Sequence, residues 1–208
     1  MKPDGTIGVI DYGMGNLRSV SKAIERLGGS VYVGSNPAKL DRAKKLILPG
    51  VGAFGDAMQE LKKRNLISLI KKAAQQGKPL LGVCLGLQLF FERSAESPSL
   101  KGLGIWKGSV VRFKNQKRKK LKIPHMGWNQ VRFKKPKPFI SGVKNNDYFY
   151  FVHSFYAQPK NKDLIVGETD YGVRFPSILA SHNIFAVQFH PEKSQRAGLR
   201  ILKNFICL

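Results

Sequence analysis

The stretch Pro79-Leu80-Leu81-Gly82-Val83-Cys84-Leu85-Gly86-Leu87-Gln88 decides the fold class of this 208-residue chain. Its first half is a near-continuous apolar run, which is typical of a strand buried on both faces of a parallel sheet. Residues 85–91 follow with a helical pattern, so the chain is expected to turn sharply from strand to helix at Cys84. A buried strand that leads directly into a helix is the basic unit of an α/β protein.

The N-terminal half repeats this alternation. Short apolar strands are predicted at residues 7–10, 31–33 and 46–48, and helical patterns run through residues 56–76. Between the first two strands, Asn16 can cap a helix that Gly28-Gly29 ends. Strands alternating with helices predict a parallel sheet covered on both faces, and therefore a three-layer, flavodoxin-like α/β domain.

After Gly102 the pattern changes to short strands of alternating polarity. We expect these strands at residues 110–113, 130–133, 148–152, 177–181 and 184–189, with a final helix at about 196–205. Antiparallel extensions of the same sheet would accommodate them. The length suits one compact domain that spans residues 1–208.

The balance of charge is strongly basic, with 36 lysines and arginines against 13 acidic residues and a net charge of +23. The densest basic run is residues 114–122, and such charge could attract nucleic acid or an acidic partner. This run contains no aromatic side chain that could stack on bases, and the other basic groups are scattered along the chain. A solvated, lysine-rich surface is therefore the preferred interpretation, and nucleic-acid binding is not expected.

Neither a membrane span nor a disulfide framework is predicted. No run of 18 or more apolar residues is present, and the apolar stretch 7–10 is too short for a signal peptide. The two cysteines, Cys84 and Cys207, form at most one pair, and no cysteine–histidine set has the spacing of a zinc site. We expect a cytoplasmic protein with a free thiol at Cys84 and no metal.

Cys84 is the first candidate catalytic residue. A sharp strand-to-helix turn thrusts its central side chain out at the carboxyl edge of the sheet and aims the following backbone N–H groups at any negative charge that forms there. Gly82 and Gly86 provide the room that such a turn needs. Taken alone, a cysteine in an apolar run is more often a small buried hydrophobic residue, so a second signal is required.

His190-Pro191-Glu192 provides that second signal. The segment follows the predicted strand 184–189, and catalytic groups gather at the carboxyl ends of strands in open α/β folds. Glu192 can accept a hydrogen bond from one imidazole nitrogen of His190 while the other nitrogen faces the thiol. This arrangement would combine a nucleophile, a base and a residue that orients the base.

Together these residues resemble the class I glutamine amidotransferase family, whose motifs are Gly-x-Cys-x-Gly-x-Gln around the nucleophile and His-x-Glu around the base. The match is closest to the glutaminase subunits of imidazole glycerol phosphate synthase. It covers nearly the whole chain, in order, through residues 11–16, 48–54, 123–129, 150–154 and 190–195.

The resemblance implies a role for each matching residue. Cys84 would be the nucleophile, His190 the base and Glu192 its orienting partner, with the backbone N–H groups of Val51 and Leu85 as the oxyanion hole. The positions implied in binding glutamine are Gly50, Gly52, Gln88, Glu96, His153, Ser154 and Phe155. The positions implied at a partner interface are Asn16, Met126, Trp128, Asn129 and Lys193.

The resemblance also implies a partner and a pathway. The ammonia released from glutamine would pass to a (β/α)₈ cyclase subunit in a heterodimer, for histidine biosynthesis, without a cofactor. A related glutaminase that supplies an enzyme modifying a nucleotide-activated sugar is the alternative with the same chemistry. A basic nucleic-acid-binding protein on an inactive enzyme fold is the alternative from another class, and it would be expected to lack the triad.

Overall fold

The computed structural model describes residues 5–114 and 121–208, so most of the predicted basic loop at 114–122 lies outside the described residues. The helices are α1 Leu17–Arg26, α2 Pro37–Asp41, α3 Phe54–Lys63, α4 Leu66–Gln75, α5 Leu85–Leu89 and α6 Gln195–Ile206. Short 3₁₀ helices lie at Pro138–Ile140, Lys162–Leu164 and Pro191–Lys193. The strands are β1 Thr6–Ile10, β2 Ser30–Gly34, β3 Lys45–Leu48, β4 Leu80–Val83, β5 Phe91–Ser94, β6 Trp106–Arg112, β7 His125–Gln130, β8 Arg132–Phe133, β9 Tyr148–His153, β10 Phe155–Pro159, β11 Ile165–Asp170, β12 Arg174–Ser181 and β13 Ile184–Val187.

The main sheet has the strand order β2-β1-β3-β4-β13-β12-β11-β8. The first five strands are parallel to one another, and β12, β11 and β8 extend the sheet in antiparallel fashion. The prediction of a parallel sheet with antiparallel extensions is confirmed for this part of the chain. The central strands β3, β4 and β13 are buried along their whole length, which explains their apolar sequences.

Helices cover both faces of the main sheet. One core cluster joins the sheet to α2, α3, α4 and α5 through residues that include Leu40, Leu61, Ile70 and Leu87. The other cluster joins it to α1 and α6 through residues that include Ile24, Ile201 and Phe205. The predicted three-layer architecture is therefore confirmed.

Some of the predicted strands belong to two small sheets instead of the main sheet. The strand predicted at 110–113 is the end of β6, which lies between β10 and β5 in a three-stranded sheet. The strand predicted at 148–152 is β9, which pairs with β7 alone, in continuous antiparallel register from His125 opposite His153 to Gln130 opposite Tyr148. The expectation that these strands extend the main sheet was wrong because each is hydrogen-bonded to a neighbour that sequence periodicity did not reveal.

The structure shortens one predicted helix, divides a predicted helical region into two helices and adds a helix that was not predicted. The helix predicted at 85–91 ends at Leu89 because Phe90 and Phe91 pack edge-on against Trp106, and Phe91 begins β5 beside it. The helical region 56–76 consists of α3 and α4, with a left-handed residue, Asn65, between them. The short helix α2, capped by the Asn36 side chain, was not predicted.

Within the described ranges, no helix is both long enough and apolar enough to cross a membrane.

Candidate active site

The site is assembled at the carboxyl ends of three neighbouring parallel strands. β4 lies between β3 and β13, with Leu48 opposite Gly82 and Val83 opposite Val187. The chain leaves β3 into Pro49-Gly50, leaves β4 into Cys84 and leaves β13 toward His190. Adjacent strand order thus brings together groups that are far apart in sequence.

Cys84 occupies a strained turn between β4 and α5. Its backbone has φ 54° and ψ −108°, a conformation that residues other than glycine rarely adopt. A Cβ atom at Gly86 would lie 1.9 Å from the carbonyl oxygen of Leu48, and one at Gly82 would lie 2.8 Å from that of Gly86. The prediction that these two glycines make room for the turn is confirmed.

His190 is held in place by backbone contacts with β9 and by the turn that follows it. Its N–H donates to the carbonyl oxygen of Tyr150 at 2.9 Å, and its own carbonyl accepts from the hydroxyl of Ser194 at 2.6 Å. On the adjacent strand end, the N–H of Cys84 donates to the carbonyl oxygen of Val187 at 2.8 Å. These bonds fix the spacing between the cysteine and the histidine through backbone atoms.

His190 and Glu192 form a buried pair. His190 Nδ1 lies 2.9 Å from Glu192 Oε1, and the two side chains are 3% and 1% exposed. Within the described part of the chain, His190 Nε2 and Glu192 Oε2 have no hydrogen-bond partner. Burial alone would lower the pKa of His190, but the nearby side chains of Cys84 and Glu192 outweigh burial and raise that pKa well above its ordinary value. The histidine is therefore poised to carry a positive charge beside the sulfur.

A cavity of about 370 Å³ opens beside Cys84. It gathers nearly all of the residues predicted for substrate and oxyanion binding. Its lining consists of Val51, Gly52, Cys84, Leu85, Gln88, Glu96, Pro124, Val152, His153, Ser154 and Phe155. A wider groove of about 710 Å³, lined by residues between 133 and 145, contains none of these side chains.

The two predicted oxyanion donors differ in their present state. The N–H of Leu85 donates to the carbonyl oxygen of Gly50 at 3.4 Å, so this donor does not point freely into the cavity. Val51 is 42% exposed at the mouth of the cavity. The hydroxyl of Tyr12, which sequence reasoning did not single out, donates to the carbonyl oxygen of Pro49 at 2.8 Å and so holds the residue before Gly50.

Gln88 and Glu96 both line the cavity, and each also has a hydrogen-bond partner within the chain. Gln88 Nε2 donates to the carbonyl oxygen of Phe155 at 3.1 Å and to Gln188 Oε1 at 3.2 Å. Glu96 Oε2 accepts from the backbone N–H of Phe54 at 2.7 Å and so caps α3, whose own N-cap residue, Ala53, has no side-chain acceptor. Glu96 therefore has a structural contact in addition to its place in the cavity.

Two features of the site were missed by sequence reasoning. Gln188 is fully buried, and its Nε2 lies 3.8 Å from Cys84 Sγ. His153, which was expected to contact substrate, has Nε2 3.0 Å from Nδ1 of the buried His125. A polar residue between Val187 and Phe189, in an otherwise apolar strand, is the signal that could have identified Gln188.

The predicted interface residues do not all have the same surroundings. Met126 and Trp128 are 63% and 46% exposed on β7, so Trp128 is not part of the core. Lys193 is exposed, with its Nζ 5.9 Å from the ring centre of Tyr150. Asn16 accepts from the N–H of Ser19 and caps α1, as predicted, so its side chain already has an internal partner.

Comparison with protein families identifies the class. Residues 8–208 match the family described as "Glutamine amidotransferase class-I". The match covers almost the entire chain, and the chain therefore belongs to the class I glutamine amidotransferase family.

Curated relatives narrow this assignment. The chain is 51% identical to the "Imidazole glycerol phosphate synthase subunit HisH" of Aquifex aeolicus, over 95% of this chain and 94% of that one. It is 50% identical to the protein of that name from Methanocaldococcus jannaschii, over 96% and 98%, and 49% identical to that of Moorella thermoacetica, over 96% and 93%. Within its class the chain belongs with these HisH subunits.

Solved structures agree on the fold. The chain superposes on the structure of PurLQS from Thermotoga maritima with a TM-score of 0.75 at 21% identity, covering 99% of this chain and 98% of that one. It superposes on a structure described as a glutamine amidotransferase with a TM-score of 0.74 at 19% identity, covering 96% of each chain.

Proposed function

We infer that this chain is the glutaminase subunit of an imidazole glycerol phosphate synthase and that it hydrolyses glutamine for histidine biosynthesis. Similarity to HisH subunits at about 50% identity over nearly the full length supports this pathway. The same similarity favours histidine biosynthesis over the supply of ammonia to a sugar-modifying enzyme. The single observation that carries the chemistry is the buried pair of His190 and Glu192, with His190 Nε2 unpaired beside Cys84. The free thiol of Cys84 is also in keeping with the proposed cytoplasmic location.

The proposed reaction has two halves. In the first, Cys84 Sγ attacks the side-chain carbonyl carbon of glutamine, and the carbonyl oxygen becomes an oxyanion. His190 then transfers its proton to the amide nitrogen, the carbon–nitrogen bond breaks, and ammonia leaves. In the second, His190 removes a proton from water, the hydroxide attacks the thioester, and glutamate leaves as the electron pair returns to sulfur.

Glu192 is proposed to orient His190 and to stabilise its charge. Its Oε1 accepts the Nδ1 proton, which leaves Nε2 as the nitrogen that exchanges a proton with the substrate and with water. Because both side chains are buried, their attraction is weakly screened by solvent and remains effective throughout the cycle.

The proposed partner is a (β/α)₈ cyclase subunit that receives the ammonia. The β7–β9 ribbon supports the interface assignment, since Met126 and Trp128 expose large side chains from it and Lys193 projects beside it. Exposed tryptophan and methionine flanked by polar groups are typical of the energetically important centre of an interface.

Replacing Cys84 with serine in the complex with its cyclase subunit tests this function. Glutamine-dependent synthesis should fall by several orders of magnitude, because a hydroxyl is a far weaker nucleophile than a thiolate. Synthesis from added ammonium should persist at the wild-type rate. The matched control is Cys207→Ser, which removes the second thiol and should retain both activities. Loss of both activities in Cys84→Ser would assign the cysteine a structural role and contradict the proposal.

A further inference from the structure

The carbonyl oxygen of Phe155 sets the direction of a long hydrogen-bond chain. It accepts from His153 Nδ1 at 2.8 Å and from Gln88 Nε2 at 3.1 Å. Because a carbonyl oxygen can only accept, His153 must carry a proton on Nδ1, and Gln88 must present its NH₂ group. One backbone atom beside the cavity therefore fixes both the tautomer of a histidine and the orientation of an amide.

The hydrogen bonds that link His153 to β7 also have a fixed donor and acceptor. Burial keeps the pKa values of both histidines below their ordinary range, so each is neutral at pH 7. With Nδ1 protonated, Nε2 of His153 is an acceptor, and His125 must donate to it from Nδ1 at 3.0 Å. His125 Nε2 then accepts from Asn129 Nδ2 at 3.2 Å, and this amide also donates to the carbonyl oxygen of Asp170 at 2.9 Å.

The hydrogen bonds that link Gln88 to Cys84 have a fixed donor and acceptor as well. The second N–H of Gln88 Nε2 points at Gln188 Oε1, 3.2 Å away, so the amide oxygen of Gln188 is the acceptor. Its NH₂ group is left to face Cys84 Sγ at 3.8 Å. Gln88 and Gln188 are 4% and 0% exposed, so water does not compete for these contacts.

We propose that Gln188 is a further catalytic residue, which donates a hydrogen bond to the sulfur of Cys84, and that the chain from Asn129 through His125 and His153 positions it. This inference rests on the proposed glutaminase function. An uncharged donor stabilises negative charge on the sulfur without competing with His190 for the transferred proton. Its greatest effect falls in thioester hydrolysis, when the carbon–sulfur bond breaks and the electron pair returns to sulfur.

The same chain runs from β7 to the reacting atom. Asn129 directly follows Trp128, which is exposed on the surface proposed to meet the partner. Asn129 and His125 both lie on β7, so a displacement of this strand would change the contact of His125 with His153 on β9 and reach Cys84 through the neutral hydrogen bonds that follow. His125, His153 and Gln88 are positioning residues with respect to the sulfur in this scheme.

Nitrogen-15 NMR of the wild-type protein tests the direction of the chain without any measurement of activity. Two-bond correlations within the imidazole rings should show His125 and His153 both neutral at pH 7, with the proton on Nδ1 in each. A proton on Nε2 of either ring would break the chain and overturn the inference. His125→Phe should change the resonances of the His153 ring, because its donor is removed.

Kinetics of Gln188→Leu in the complex test the role at the sulfur. We expect kcat for glutamine hydrolysis to fall about tenfold or more, as for loss of a hydrogen bond to a charged atom, while KM changes less than about twofold. Gln188→Met, which keeps the length of the side chain but removes the donor, should show a similar fall. Gln158→Leu, at an exposed position on β10, is the matched control.

Circular dichroism and co-purification with the cyclase subunit report folding and assembly in every variant. Wild-type kcat in both Gln188 variants would overturn the inference while leaving the proposed function intact. Glutaminase activity retained in Cys84→Ser would instead contradict the proposed function itself.

Discussion

The backbone N–H of Leu85 donates to the carbonyl oxygen of Gly50 at 3.4 Å, so one of the two proposed oxyanion donors is already engaged. An oxyanion at this place would meet a carbonyl oxygen instead of a donor. Turning the peptide between Gly50 and Val51 would withdraw that carbonyl and direct the Val51 N–H into the cavity. The structure thus supplies a physical reason for a resting state with low activity.

From this contact we predict that the isolated chain is nearly inactive. Losing one oxyanion donor costs about 10²–10³ in rate, so adding the partner with its ligand should raise glutamine turnover by at least that factor. Turnover should be measured for the chain alone, with its partner, and with the partner and its substrate. Full activity of the isolated chain would contradict a control of activity by the peptide between Gly50 and Val51.

Gly50→Val should abolish that rise. A Cβ atom at Gly50 would lie 2.3 Å from the Tyr12 hydroxyl oxygen and 2.9 Å from Leu85 Cβ, so the segment could not turn freely. Circular dichroism of the variant and its co-purification with the cyclase subunit are the controls for folding.

Substitutions of different triad residues should lower kcat by different amounts. His190→Ala should lower kcat for glutamine hydrolysis by several orders of magnitude, because it removes the group that transfers protons at the sulfur. Glu192→Gln should cost less, since an amide oxygen can still accept from Nδ1 at the observed 2.9 Å separation. His182→Asn, at an exposed histidine, is the control and should leave kcat unchanged. Equal losses for Glu192→Gln and His190→Ala in folded protein would refute the orienting role.

Glu96 should affect stability and substrate binding separately. Glu96→Gln keeps an oxygen that can accept from the Phe54 N–H, so the melting temperature should change little. Glu96→Ala removes this cap of α3 and should lower the free energy of unfolding by about 1 kcal/mol. Both variants should raise KM for glutamine, because the carboxylate lines the cavity. An unchanged KM in Glu96→Gln would restrict Glu96 to its capping role.

The histidine pair should make the fold sensitive to acid. Burial lowers the pKa of His125 to about 4 and that of His153 to about 3, whereas in the unfolded chain both titrate at about 6.5. Below pH 6.5 the unfolded chain therefore takes up protons that the folded chain does not. The free energy of unfolding should fall by up to about 1.4 kcal/mol per pH unit for each histidine between about pH 6 and pH 4, with no such effect above pH 7.

Denaturant unfolding at pH 7, 6 and 5 measures this dependence. His125→Phe removes one of the two groups and should reduce the slope. The same slope in this variant would show that other groups govern the acid response.

The interface assignment predicts a loss of affinity without a loss of stability. Trp128→Ala should weaken partner binding by about 2 kcal/mol or more if Trp128 is central to the interface. The isolated chain should keep its melting temperature, because the side chain is 46% exposed. Val33→Ala, on the edge strand β2, is the control. Unchanged affinity, measured by calorimetry, would show that Trp128 is not central to the interface.

The parallel core and the turn at Cys84 could be predicted because each depends on a local pattern. β3, β4 and β13 are apolar along their length, and Gly82 and Gly86 flank the cysteine at fixed spacing. His190 and Glu192 are two residues apart, so their contact needed only a short turn. Neighbouring positions in the sheet then brought the sequence-distant cysteine and histidine together.

The parts that could not be predicted depend on long-range pairing. β7 carries a glycine at φ 132° and mixes polar with aromatic residues, so its pairing with β9 left no clear periodicity. The hydrogen bond from Leu85 to Gly50 joins residues 35 positions apart along the chain. The hydrogen bond from Tyr12 to Pro49 joins residues 37 positions apart. No local pattern specifies such contacts before the strands are placed.

The left-handed backbone at Cys84 lowers the stability of the fold, although the reaction requires a cysteine there. A conformation of this kind costs about 1–3 kcal/mol in a residue with a side chain, and glycine would relieve most of that cost. Substitution of the cysteine by glycine can therefore stabilise the protein. Selection for thermal stability alone would favour such an inactive but more stable variant. Only a continuing requirement for the reaction keeps a cysteine at this position.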